Sequence, residues 1–391
     1  MTVRELGPDL SLHRGGDGNL PSEPPLWRRA LSPRTRDLAW TTLSPPLLSA
    51  VTGAAPARWP AGTLAAWQHW LETADPAALP ATIDELAGGH AAFPSDPVPN
   101  PAPNPAPGPA AAMQHVQDPA SRSLRLGRHA ERLLHFALRH MQGLSLLAAN
   151  VPVRRAGAHG IRTLGELDFV WREQASGEVV HWEMAAKFYL MAGAVPAPTL
   201  HDFVGPNMVD RLGDKLGHVV GRQLPLGRTP EARALLGHVV DRSEVYLLGW
   251  LFYRDGQVPA GLDALGIAPD HLRGWWSPLD GWRARAAARP GLRWCRLPRS
   301  GWLSGALVPD SGIEEVDALY AALAQRFADP RHDHGWRREA PVMLCELEPA
   351  GHGWWRECSR GFVVPQGWEA RAMARAAEPP RQGPQALADG P

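Results

Sequence analysis

Between residues 178 and 190 every second position is apolar. Val180, Trp182, Met184, Ala186, Phe188 and Leu190 fall on one side of an extended chain, and His181, Glu183, Lys187 and Tyr189 share the other with Ala185. The alternation predicts a strand with one packed face and one chemical face. Residues 164–171 divide the same way, Leu167, Phe169 and Trp171 against Glu166 and Asp168, and the turn-forming Ser176-Gly177 separates the two stretches. Antiparallel pairing would bring the two polar faces together. Upstream, Leu126, Ala130, Leu133, Leu134, Ala137, Leu138 and Met141 recur at three- and four-residue spacings. They predict an amphipathic helix over 121–148, with Glu131 beside its apolar stripe. A short strand is expected at 150–154. Downstream, 207–223 reads as a helix that sets Arg211 and Lys215 one turn apart, with Gln223 near the same face. The unbroken apolar run 245–253 reads as a strand buried on both sides. The order is helix, three strands, helix, strand.

Outside this unit (119–255) the pattern changes character. Residues 1–25 and 372–391 are rich in Gly, Pro and charge without periodicity, and are expected to be disordered tails. Residues 26–90 hold helical stretches punctuated by Pro45-Pro46 and Pro60, which predicts a small helical N-terminal region. Within 91–118, positions 94–109 alternate Pro with Ala, Asn and Gly, which gives an extended, semi-rigid linker. Residues 256–371 are Trp-rich and predict an α+β appendage, with a hairpin over 293–307, a helix over 313–327 and strands near 342–347 and 353–364.

Composition narrows the function classes. Forty basic residues cancel forty acidic ones, so no global field draws the chain to nucleic acid or an anionic membrane, and any polyanion contact must be local. Cys295, Cys345 and Cys358 are odd in number and far apart, and none forms a C-x-x-C pair. They suggest neither a disulfide framework nor a zinc site, and fit a reducing compartment. The first twenty residues lack an apolar segment, and the longest apolar run falls well short of the roughly 18 residues a bilayer span needs. A cytoplasmic protein with no membrane partner is expected. Of the basic residues all but Lys187 and Lys215 are Arg. A lysine retained in so Arg-rich a chain marks a place that needs a compact ammonium able to shift its pKa.

Carboxylates gathered on one sheet face repel one another unless a cation sits among them. Asp168 and Glu183, with Glu131 as a third oxygen donor, suit Mg²⁺ or Mn²⁺. Lys187 would then orient or deprotonate the attacking water, or stabilise charge on phosphate. Lys215, Arg211 and Gln223 are candidates for the phosphate backbone of a nucleic acid, and Glu166, His181 and Tyr189 are accessory candidates. The competing reading is a solvated sheet face whose ion pairs contribute about 1 kcal/mol or less each. Arg211 and Lys215 could equally form helix ion pairs with Asp210 or Asp214, and His181 could be a hydrogen-bonded structural residue. His332-Asp333-His334 reads as a solvated loop before it reads as a metal site. Trp275-Trp276 and Trp354-Trp355 read as packing residues, because neither pair lies in a basic stretch where bases would stack.

The segments 164–169 (LGELDF), 181–190 (HWEMAAKFYL), 205–207 (GPN) with 210–216 (DRLGDKL), and 360–365 (RGFVVP) resemble the bacterial domain-of-unknown-function family 1853 over roughly residues 27–370. That family is grouped by resemblance with the PD-(D/E)XK nuclease-like fold. The resemblance implies an α/β restriction-endonuclease-like core and a metal-dependent nuclease. It makes Asp168 the metal-binding Asp of the second core strand, Glu183 the acid of the third, Lys187 the lysine, and Glu131 a loose match to the first-helix acid. Ala185 stands where the pattern has its lysine, and Lys187 follows two residues later. On an ideal strand Glu183 and Lys187 lie about 13 Å apart at Cα, so a bulge or a backward-leaning side chain is needed to join them. The alternative function is a non-catalytic module of the same fold that binds nucleic acid or a protein partner.

Overall fold

The computed structural model describes residues 24–73, 126–157, 160–193, 197–328 and 340–380. The proline-rich stretch 94–109, the segment with His332-Asp333-His334, and most of both expected tails lie outside the described residues. The main elements are α1 (Pro33–Leu43), α2 (Thr63–Thr73), α3 (Leu126–His140), β1 (Leu144–Gly157), β2 (Gly160–Glu173) and β3 (Val179–Met191). They continue as α4 (Leu212–His218), α5 (Pro230–Leu236), β4 (Arg242–Arg254), β5 (Leu272–Pro278) and α6 (Leu279–Ala287). The last are β6 (Arg293–Arg296), α7 (Val316–Ala328), β7 (Val342–Gly351), β8 (Trp354–Val364) and α8 (Trp368–Ala377).

All eight strands belong to one mixed sheet, in the order β1-β2-β3-β4-β5-β8-β7-β6, with three very short strands at its margins. The centre, β3-β4-β5-β8, is parallel, and antiparallel hairpins flank it on both sides. A parallel step from β3 to β4 needs a long crossover. The chain from Phe203 through α4 and α5 supplies it, and that crossover carries Lys215 and Gln223 back over the sheet.

One sheet face packs on α1, α2 and α3 through Val180, Trp182, Met184, Phe188, Leu190, Tyr246 and Trp250. The other packs Tyr189, Met191, Val245, Leu247 and Leu251 against α4 and its neighbours. β4 therefore buries both sides, as its unbroken apolar run predicts. Trp182 stacks on Tyr246 with ring centroids 4.8 Å apart and meets Trp171 and Trp59 edge-on, which locks the start of β3. Gly249 lies opposite Lys187 with φ +152°, and a Cβ there would stand 1.8 Å from the Lys187 carbonyl oxygen. Only glycine lets β4 come this close to β3.

Several expectations are corrected. The helix expected over 121–148 ends at His140, and residues 144–148 already belong to β1, which runs through Gly157 and is far longer than the short strand expected at 150–154. Residues 256–371 are not an appendage, because β5 and β8 extend the central sheet; parallel pairing leaves no local mark in the sequence. No hairpin spans 293–307: β6 pairs with β7, and Leu307–Pro309 pairs with β8. Residues 372–377 continue α8, held by the buried Trp368, Ala372 and Arg375, where a tail was expected.

Candidate functional site

β2 and β3 pair only from Phe169 opposite Trp182 to Arg172 opposite Val179. The next step of that register would set Asp168 opposite Glu183, and there the ladder ends. Asp168 Oδ2 instead accepts the Met184 backbone N–H at 2.9 Å, so a side chain takes the place of the missing backbone acceptor. β2 stays paired with β1 as far as Gly160 opposite Gly157, and the β1–β2 ribbon diverges from β3 to leave a fork. Two features open it. Asn150, which falls opposite Asp168 in the β1–β2 register, is in the left-handed region with φ +53°. Leu226 wedges against Gly165, where a Cβ would lie 2.8 Å from it. Leu167 accordingly packs with Val170, Leu226, Ala232, Leu236 and Val240, while Phe169 and Trp171 stay in the main core. The strict alternation expected of Leu167, Phe169 and Trp171 thus breaks at Asp168.

A chain of hydrogen bonds runs through the fork. Lys215 Nζ donates to Gln223 Oε1 at 3.2 Å, Gln223 Nε2 donates to Glu183 Oε2 at 2.5 Å, and His181 Nε2 lies 2.9 Å from Glu183 Oε1. The chain is continuous because α4 runs straight into a π-helical turn, Val219–Gln223, which rotates Gln223 toward the sheet. Burial pushes His181 down to about 4, so near neutrality its contact with Glu183 is a neutral hydrogen bond and not an ion pair. Its Nδ1 is buried beside Gly227 and has no hydrogen-bond partner among the described residues.

The acids are held in an unfavourable state. Burial, and then the neighbouring Glu183, push Asp168 up to about 7. Burial pushes Glu183 up to about 7 against the pull of Lys215, and burial with Asp168 does the same to Glu131 on α3. Glu166 is exposed. The Lys215 ammonium is lowered by burial and by Lys187, and raised by Asp168, Glu183 and Asp210. Among the described residues no three His, Cys, Asp or Glu side chains converge as a ready-made metal cage.

These raised carboxyls set a pH dependence. The folded state holds protons on them that the unfolded chain releases near pH 4, so their contribution to stability is present below about 4 and lost as pH rises toward about 7. His181 runs the other way, since its lowered value makes the fold less stable in acid. The expected result is therefore a difference. In divalent-free buffer, thermal melts across pH 4.5–7.5 should show the Asp168→Asn/Glu183→Gln protein gaining stability over wild type as pH rises. Parallel curves would mean that these carboxyls are not perturbed.

The two lysines occupy different places. Lys187 Nζ donates to Asp210 Oδ2 at 2.6 Å, and the Tyr189 hydroxyl donates to the same oxygen at 3.3 Å. Lys187 does not lean back to Glu183, and Lys215 is the lysine linked to that acid. Asp210 was not singled out for this role; it lies in the turn before α4, where no periodicity marks it. Arg211 is not on the cleft face of a helix. It is the extended residue before α4 and is 0% exposed. Its guanidinium grips both Asp214 oxygens and the carbonyls of Arg375, Ala376, Glu378 and Pro379. That leaves no donor for a phosphate.

Architecture and cleft together define a mixed α/β protein with one buried acid, Glu183, and one half-buried acid, Asp168, where two strands part. Residues 36–364 match the family described as Domain of unknown function (DUF1853), and the chain belongs to that family. No curated protein and no solved structure matches it. No helix among the described residues is long and apolar enough to cross a membrane.

Proposed function

We propose that this chain is a divalent-cation-dependent phosphodiesterase of the PD-(D/E)XK nuclease-like kind. Asp168 and Glu183 are its cation ligands, and Lys215, in place of Lys187, is the lysine at the reacting phosphate, acting as the uncharged amine that its burial favours. One observation carries the reading: two carboxylates with raised affinity for protons stand at the strand fork, and the chain Lys215–Gln223–Glu183 ties a lysine to them. The order α3, β1, β2, β3, α4, β4 supports it. So does the donor set, since Mg²⁺ is usually held by one or two carboxylates and completes its shell with water and phosphate. Glu131 is near enough to Asp168 to add charge. When bound, the cation neutralises charge on the phosphate oxygens.

The chain's own residues do the rest. Gln223 and His181 fix the Glu183 carboxylate, and the Met184 N–H fixes Asp168. Lys215, lowered by burial, orients the attacking water and accepts its proton as the new bond to phosphorus forms. The bond to the leaving sugar oxygen breaks, and that oxygen takes a proton from solvent. The test is cleavage of duplex and single-stranded nucleic acids with Mg²⁺ or Mn²⁺. Activity should be lost with chelator and fall by roughly 10²-fold or more in Asp168→Asn and in Glu183→Gln. Cleavage that ignores both substitutions sinks the proposal. No cleavage with either ion, together with no cation binding by calorimetry, leaves the non-catalytic binding module.

A further inference from the structure

Beyond the fork the β1–β2 ribbon leaves the body of the protein: residues 154–157 and 160–163 are exposed on both strands. A ribbon with two wet faces buries almost no apolar surface, so folding gives little reason to extend it. Its sequence is as unusual as its exposure. In a chain whose charges balance, 154–163 has Arg154, Arg155 and Arg162 and no carboxylate. Arg155 and Arg162 are direct cross-strand partners, an arrangement that repels. Arg155 is answered by Glu231 at 2.6 Å, whereas Arg154 and Arg162 have no ion-pair partner among the described residues. Ile161 beside them is 76% exposed, the most exposed large apolar residue described.

We infer that this ribbon is a DNA-gripping arm that enters the major groove of a B-form duplex whose reacting phosphate lies at Asp168, an inference that rests on the reading of the cleft given above. Arg154 and Arg162 take phosphates, and Ile161 meets base edges. A two-stranded ribbon fits the B-form major groove, about 12 Å wide, while the deep, narrow major groove of A-form RNA excludes side chains. Arg162 and Asp168 lie on one strand six residues apart, about 20 Å, or about six base pairs of duplex. The arm therefore sets both the substrate class, double-stranded DNA, and a contact on one side of the cut.

The test is the affinity of the full chain for fluorescein-labelled duplex DNA across a salt series in chelator, for wild type and Arg154→Ala/Arg162→Ala. Both positions are exposed, so melting should not change. The double variant should bind more than about tenfold more weakly, and its plot of log affinity against log salt should be shallower by about 2, one for each lost phosphate contact. Hydroxyl-radical protection should disappear about six base pairs to one side of the cleft. Unchanged affinity and slope overturn the inference, as does equal competition by single-stranded DNA or duplex RNA. The cleft reading fails separately: loss of arm-dependent binding with Asp168-dependent cleavage intact counts against the arm alone. Arm-dependent binding with cleavage indifferent to Asp168 counts against the cleft alone.

Discussion

Lys215→Met is expected to lower the rate of phosphodiester cleavage by roughly 10²- to 10⁴-fold, the range over which a positioned acid or base acts. Lys187→Met should cost less than about tenfold. The contrast follows from the neighbours: Lys187 is engaged by Asp210, while Lys215 reaches Glu183 through Gln223. Methionine keeps the apolar stem and removes only the amine. Lys215→Arg should not restore activity, because a guanidinium holds its proton. The chain offers a direct readout, since Lys187 and Lys215 are its only lysines. Protein with ¹³C-labelled lysine gives two side-chain signals. The one that vanishes in Lys215→Met should titrate below the ordinary lysine range and shift on adding Mg²⁺. Lost activity in Lys187→Met with full activity in Lys215→Met would return the role to the strand lysine.

The second large effect is structural and lies far from the cleft. Arg360 on β8 is 0% exposed; its Nε and Nη2 donate to Glu357 Oε1 and Oε2 at 2.5 and 2.7 Å, and it stands 4.4 Å over the Trp250 ring. It also donates to the carbonyls of Trp302 and Ser304, while Glu357 accepts from the Ala306 N–H and from the Cys345 thiol. Burial pushes Glu357 up, but Arg360, with the Ala306 N–H and Arg28, outweighs burial and holds it below the usual carboxylate value. Arg360→Leu leaves a buried acid without its hydrogen-bonded counter-ion and should cost about 3–5 kcal/mol at pH 7. Arg360→Leu/Glu357→Leu should recover a large part of that loss, because a well-packed apolar pair can replace a buried ion pair. Urea unfolding decides it. A single variant within about 0.5 kcal/mol of wild type would show that the pair is not what holds β7, β8 and the Trp302–Ala306 connection together.

What the sequence made legible is what local periodicity encodes. The stripe on α3, the two faces of β3 and the doubly buried β4 follow from spacing alone, and so does the order helix, three strands, helix, strand. The fork does not. It depends on where a ladder stops, which is decided by Asn150 in a neighbouring strand and by Leu226 some sixty residues downstream of Gly165. The same limit hid the place of Arg211: its pairing with Asp214 is local and legible, but the four carbonyls that draw it off the cleft face lie more than 160 residues away. It also concealed the continuity of the sheet, because a parallel strand's neighbour can come from anywhere in the chain. The scarcity of lysine singled out both positions, but composition could not tell that Lys187 pairs with Asp210 while Lys215 reaches Glu183 through Gln223.

The grip of Arg211 on the last turn of α8 has a mechanical consequence. Arg211 is also the residue from which α4 starts, so four carbonyls near residue 378 anchor the helix that carries Lys215. The far end of the chain thus acts as a tether on one wall of the cleft. Fraying of α8 would slacken that wall and let the lysine drift from the acids, with no change in any residue of the fork.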